Sequence, residues 1–167
     1  KNKCAAGTND VKISALNDLF ARTDIKAIFA ANGGNHSLFL LDQIDYGVIR
    51  RNPKIFMGFS DTTALLNAFN ARASLVTFHG PLVKWMPTIK NVDLAFDMLG
   101  GKKISYPAAD MRVLKTGLAT GPLLGGNLTV LNYLAGTKYM PKMDGAILFL
   151  EDVGEEFSNL DRLFWKL

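Results

Sequence analysis

K-I-F-M-G-F-S-D-T-T-A-L-L-N-A-F, residues 54–69, joins two hydrophobic patterns at one serine. Ile55-Phe56-Met57 is a short apolar run of the kind a buried strand shows, while Thr63, Ala64, Leu66, Ala68 and Phe69 fit a helix. Gly58 and then Ser60-Asp61 stand at the junction. Two readings of it stay open on these residues alone. Ser and Asp are favoured helix N-caps, because their side-chain oxygens accept from orphan backbone N–H groups. A serine on a strand-to-helix turn also exposes Oγ and gathers backbone N–H groups around a developing oxyanion, as a nucleophile requires. The motif G-F-S-D is not the G-x-S-x-G elbow, so the rest of the chain must decide.

Outward from this junction the same alternation recurs. A helix is predicted from about Asp10 to Arg22, with Ile13, Leu16, Leu19 and Phe20 on one face. The apolar run Ile25–Ala31 reads as a strand, followed by the loop Asn32-Gly33-Gly34-Asn35 and a helical segment from Ser37 to Leu41. Pro53 launches the strand Lys54–Gly58, the helix Thr62–Ala73 follows, and Leu75–Phe78 is a further strand closed by His79-Gly80-Pro81. Strands alternating with helices predict a parallel α/β sheet, whose ligands collect at the carboxyl ends of the strands. Both Asn32-Gly33-Gly34 and Gly58–Asp61 lie at such ends, which favours a functional role for Ser60.

From about Gly100 the texture changes. Lys102–Tyr106 and Val113–Ala119 are polar-flanked strand candidates joined by Pro107-Ala108-Ala109-Asp110, so residues 107–120 read as an interdomain linker. Residues 1–106 then form an N-terminal α/β domain and 121–167 the start of a second domain. In the latter, Gly121–Asn127 leads into a helix, Leu128 to Leu134, and the buried strand Gly145–Leu150 ends in Glu151-Asp152. The last helix carries Phe157, Leu160, Leu163, Phe164 and Leu167 on one stripe that is still running at the final residue. With no initial Met either, both domains are expected to be incomplete, the chain being cut at both ends.

The 167 residues are 49% hydrophobic and 20% charged, which describes a globular chain and excludes a disordered one. No apolar run has the length of a membrane span. A net charge of +4 and a pI near 9.2 would suit nucleic acid, but the basic residues are scattered and no aromatic-interleaved basic stripe appears. Neither nucleic acid nor membrane is therefore expected as a partner. Cys4 is the single cysteine, and with only His36 and His79 beside it no zinc site is expected. Neither glycine stretch matches a dinucleotide or phosphate-loop fingerprint, and no cofactor is expected.

Glu151, at the end of an apolar strand, is either a solvated strand terminus or a carboxylate that orients a histidine base. Asp152, Glu155 and Glu156 read as solvated or helix-terminal charges. A serine nucleophile usually takes histidine as its base. His36 reads as an exposed loop residue and His79 as a group that hydrogen-bonds its own turn, so neither is compelling in that role.

Five stretches together are similar to the serine LD-carboxypeptidase family, which includes murein tetrapeptide LD-carboxypeptidases and microcin-immunity peptidases. They are A-I-F-A-A-N-G-G, D-Q-I-D-Y-G-V-I-R-R-N-P-K-I-F-M-G-F-S-D-T-T-A-L, T-F-H-G-P, G-G-N-L-T-V-L-N-Y-L-A-G-T-K-Y-M-P and G-A-I-L-F-L-E-D, in this order along nearly the whole chain. The resemblance implies that Ser60 is the nucleophile and Glu151 the triad acid, with the backbone N–H groups of Asp61 and Gly34 as oxyanion hole. The family's histidine lies beyond the position matching Leu167, so the resemblance implies that the triad histidine is absent from this chain. Many members carry an arginine before the glycines and another near the following Leu-Leu. Asn32-Gly33-Gly34-Asn35-His36-Ser37-Leu38-Phe39-Leu40-Leu41 has neither, and the loop is somewhat closer to the microcin-immunity branch.

The combined expectation is a flavodoxin-like parallel sheet domain carrying Ser60, plus part of a second α/β domain carrying Glu151. The resemblance implies a cytoplasmic, homodimeric serine peptidase acting on a small peptide, with peptidoglycan recycling as its setting. The favoured reaction is release of a terminal D-amino acid from murein tetrapeptide, and the 167 residues alone are expected to be inactive. A peptidase for peptide–nucleotide conjugates, a non-catalytic ligand-binding domain, and another amide hydrolase using His36 or His79 are the alternatives.

Overall fold

The computed structural model describes residues 7–106 and 111–167. Cys4 and the segment Pro107–Asp110 lie outside the described residues. The first helix, α1, spans Asn9–Ala21 and starts where the Thr8 side chain accepts from Val11 N, an N-cap bond. Ile13 and Phe20 are its buried residues, which are two of the four expected on its inner face. After it come strand β1 (Ala27–Phe29), a 3-10 segment Ser37–Gln43, helix α2 (Tyr46–Arg51) and strand β2 (Ile55–Gly58). A 3-10 turn at Ser60–Thr62 runs directly into helix α3 (Thr63–Ala73), and the two-residue strand β3 (Phe78–His79) follows.

The strands form a parallel sheet in the order β1-β2-β3, with Phe29 opposite Met57 and Gly58 opposite His79. Its core is aromatic: Phe69 meets Phe20 and Phe56 edge-on, with centroids 5.5 and 4.8 Å apart. Such edge-to-face pairs add about 0.5–1.5 kcal/mol each beyond the area they bury. Lys54 at the start of β2 is also buried, and its Nζ donates to the carbonyls of Arg22 and Ile25 at 2.7 and 2.8 Å. The ammonium thus ties the end of α1 to the strand in place of water.

A helix at Val92–Leu99 (α4) precedes the second sheet. That sheet pairs β4 (Leu123–Asn127) in parallel with β5 (Ile147–Glu151), with Asn127 opposite Glu151. Helix α5 (Leu128–Leu134) follows β4, and α6 (Phe157–Lys166) follows β5. Helix α3 touches both sheets. Asn67 Nδ2 donates to the Gly125 carbonyl at 2.9 Å, and Asn127 N donates to Thr63 Oγ1 at 3.1 Å. Among the described residues no helix is long and apolar enough to cross a membrane.

Several sequence expectations need correction. Lys102–Tyr106 and the described Val113–Ala119 segment form no strand; Leu114 and Leu118 are 86% and 99% exposed, with no sheet to join. Conversely Gly121–Asn127, expected only to lead into a helix, contains β4. Its glycines hide the strand pattern, yet Gly125 and Gly126 have φ of 136° and 128°, where side chains are disfavoured. The strand expected at Leu75–Phe78 shrinks to Phe78–His79, because Ser74 turns left-handed to end α3 and Leu75 N still donates to Phe69 O. Helices α2 and α4 were not expected at all.

A Cβ on Gly125 would lie 1.8 Å from the Phe149 carbonyl oxygen, whereas one on Gly117 meets nothing within 4 Å. Gly125→Ala is therefore expected to destabilise the protein by about 2–4 kcal/mol, the range for strained backbone and core overpacking. Gly117→Ala should be close to neutral. Urea unfolding of the two variants beside the parent chain measures the contrast.

Candidate active site

The turn after β2 is built residue by residue. A Cβ on Gly58 would lie 2.3 Å from Thr62 Oγ1, so only glycine lets Thr62 fold back over the strand end. Thr62 Oγ1 then donates to the Phe59 carbonyl at 2.8 Å. Phe59 is extended, and Ser60 takes φ of 60°, the left-handed region. A non-glycine residue there costs on the order of 1–3 kcal/mol, and such strain gathers at functional sites. Ser60 is half-buried, and its Oγ has no hydrogen-bond partner among the described residues. It is not the N-cap that the simpler sequence reading offered: the capping position is Phe59, which makes no side-chain bond.

Asp61 comes next and is buried. Its Oδ2 accepts from His36 N at 3.2 Å, Ser37 N at 3.1 Å and Ser37 Oγ at 2.7 Å. Three donors on one carboxylate oxygen hold the glycine loop against the turn. Gly33 is pressed to the serine: a Cβ there would sit 3.3 Å from Ser60 Cβ and 3.4 Å from Oγ. A Cβ on Gly34 would lie 3.5 Å from Asp61 Oδ2. As the second residue of the turn, Asp61 has a backbone N–H for which a helix start offers no internal partner.

Ser60, Asp61, Gly34 and Glu151 line one cavity of about 320 Å³, beside Asn127 and Asp152. Four positions taken from two halves of the sequence thus converge. Glu151 arrives at the end of β5 and is partly buried; burial, and then the Asp152 charge, push its carboxyl above the ordinary glutamate value. Of the two roles that the sequence leaves open for Asp152, solvated or helix-terminal, the structure shows the helix-terminal one. Asp152 accepts from Thr129 N, Thr129 Oγ1 and Asn127 Nδ2 at 2.9, 2.7 and 3.0 Å, bracing the start of α5.

The two histidines part company. His36 stays on the glycine loop, held through its backbone. His79 does not hydrogen-bond its own turn, as its place before Gly-Pro suggested. Its Nε2 faces Glu151 Oε1 at 3.5 Å, and burial lowers its pKa. The Phe59 ring lies 5.0 Å from the imidazole, and His79 does not line the cavity that holds Ser60. It lines a second, apolar cavity with Phe59, Pro81 and Trp85. The strand-end rule that singled out Ser60 and Glu151 applies equally to His79, so its place at a site was legible; its partner was not. No group of three metal-ligating side chains is found among the described residues.

Comparison with known proteins gives a consistent outcome. Residues 1–80 match the LD-carboxypeptidase N-terminal domain, and residues 120–167 match the LD-carboxypeptidase C-terminal domain. The chain is 33% identical to a probable murein peptide carboxypeptidase of Bacillus subtilis, over 97% of this chain and 53% of that protein. It is 30% identical to a microcin self-immunity protein of Escherichia coli, over 95% of this chain and 56% of the relative. The crystal structure of an MccF-like protein from Bacillus anthracis superposes with a TM-score of 0.85 at 31% identity, covering 98% of this chain and 59% of that one. The chain therefore spans about half the length of the curated relatives it matches.

The Asp61 clamp has a measurable consequence. Asp61→Ala leaves buried donors without an acceptor and is expected to cost roughly 2–4 kcal/mol. The amides of His36 and Ser37 should then exchange with deuterium much faster than in the parent chain. Asp152→Ala, which removes bonds elsewhere, should leave those two amides protected; equal loss in both variants would refute the clamp.

Proposed function

The chain belongs to the LD-carboxypeptidase family, and from that premise we propose that it carries the nucleophile and acid of a serine peptidase. The observation that carries this reading is the left-handed Ser60, whose free Oγ stands in one cavity with Glu151. Strain at a strand-to-helix turn is the usual way to present a serine above the sheet. In the proposed reaction Ser60 Oγ attacks the carbonyl carbon of an amide near the C-terminus of a small peptide. A histidine from outside residues 1–167 takes the hydroxyl proton and passes it to the leaving amine. Glu151 orients that histidine and stabilises its imidazolium. The N–H groups of Asp61 and Gly34 hold the tetrahedral oxyanion, and water then releases the acyl group.

The favoured substrate is murein tetrapeptide, cleaved at its L,D bond in a cytoplasmic recycling role by a homodimer. The 33% identity to the probable murein peptide carboxypeptidase of Bacillus subtilis supports it. The second reading, cleavage of a peptide–nucleotide conjugate, rests on the glycine loop. Asn32 and Asn35 flank Gly33-Gly34 there, and no arginine follows before Arg50. A missing arginine removes a charged hydrogen bond to a substrate carboxylate, worth roughly 1.5–3 kcal/mol.

In the longer protein, Ser60→Ala should abolish hydrolysis. Glu151→Gln should retain weak activity, because the nucleophile and oxyanion donors survive it. Steady-state assays on a murein tetrapeptide and on a peptide–nucleotide conjugate, run side by side, decide between the substrates; near-normal turnover by Ser60→Ala removes the nucleophile role. Residues 1–167 alone should hydrolyse neither substrate, since an unassisted serine hydroxyl is a weak nucleophile. Burst kinetics from that chain would show that it supplies its own base.

A further inference from the structure

Glu151 has a neighbour for which the reaction above has no use. His79 ends β3 in the first sheet and Glu151 ends β5 in the second, yet their side chains meet, each 19% exposed. The imidazole is enclosed by apolar groups. Phe59 and Phe149 flank it with centroids 5.0 and 5.2 Å away, and a Cβ on Gly126 would lie only 3.3 Å from Nδ1. Three polar atoms are buried here without a hydrogen-bond partner: His79 Nδ1, His79 Nε2 and Glu151 Oε1. A buried polar atom left unpaired is costly, so native structures leave few of them. At 3.5 Å, Nε2 and Oε1 are a few tenths of an ångström beyond the ordinary N–H···O range. Catalytic hydrogen bonds are often long before substrate binds and tighten in the complex.

Resting on the proposed peptidase reading, we infer that His79 is a positioning residue for Glu151. Its Nε2–H donates to Oε1 and fixes the rotation of the carboxylate, leaving the other oxygen for the catalytic histidine. Two features set the direction of the bond. Burial lowers the His79 pKa and so favours the neutral imidazole, in which one ring nitrogen carries hydrogen and the other does not. The carboxylate lies at Nε2, while Nδ1 faces Gly126, and the hydrogen therefore belongs on Nε2. Asp152, the charged neighbour of Glu151, is already occupied by Thr129 and Asn127. His79 acts through Glu151: it makes no hydrogen bond to Ser60 and does not line the cavity that holds it.

Residues 1–167 contain two histidines, so their imidazole nitrogens can be resolved by long-range 15N–1H NMR. His79 is expected as the neutral Nε2–H tautomer near pH 7. Glu151→Gln should lower its titration midpoint by about one unit, the lower end of the effect of a nearby opposite charge. An Nδ1–H tautomer in the parent chain, or a midpoint unmoved by Glu151→Gln, would overturn the pairing; the tautomer needs no variant to fold. In the longer protein, His79→Leu should lower kcat about tenfold to a hundredfold with KM unchanged, the worth of one hydrogen bond to a charged group. His79→Gln, which keeps a donor, should recover most of that loss. Equal kcat for His79→Leu and the parent would overturn the positioning role. If the parent hydrolyses neither substrate, the peptidase reading and the positioning role fall together, while the tautomer still reports whether the pair exists.

Discussion

The site depends on an absence: Gly58 has no Cβ, and Thr62 occupies the space. With Thr62 folded back and bonded to the Phe59 carbonyl, the chain between them must reverse within three residues. Ser60 takes the left-handed conformation that this reversal demands. Its strain is offset by the core on either side, where Phe56 of β2 stacks on Phe20 and Phe69 of α3 meets both rings edge-on. A packed core over-determines the turn, which is the condition under which strained residues persist.

The same short segment organises everything around it. Asp61 draws in the glycine loop, and Thr63 accepts from the backbone of Asn127 on the second sheet. Because Asn127 is in register with Glu151, the helical run that starts at Ser60 and continues into α3 also fixes where the Glu151 carboxylate stands. Gly126 permits that approach, since a Cβ on it would lie 2.8 Å from Thr63. Geometry at the site thus comes from packing between sheets and does not rest on loops alone. Sites carried on rigid elements hold their angles better than sites on loops.

Much of this was legible in the sequence, for a reason specific to each part. The apolar runs at Ile55-Phe56-Met57 and Ile147–Leu150 are short and bounded, so strand ends could be located and Ser60 and Glu151 singled out there. The resemblance to LD-carboxypeptidases assigned them roles that spacing alone left open. What the sequence hid depends on tertiary contact. Strand β4 is concealed by its glycines, which are there for the neighbouring Phe149 and Thr63. Asp61 was read for its backbone, whereas its side chain holds His36 and Ser37 from 25 and 24 residues away. His79 could not be paired with Glu151 from spacing, since they come together only when the two sheets meet.

The central claim is that the strained serine after β2 is the nucleophile. A fluorophosphonate reacts covalently with activated serines, and the longer protein offers it Ser60 together with any base supplied from elsewhere. After labelling and digestion, mass spectrometry is expected to find one adduct, on the peptide carrying Ser60, and none in Ser60→Ala. An active protein labelled at a different serine would contradict the account.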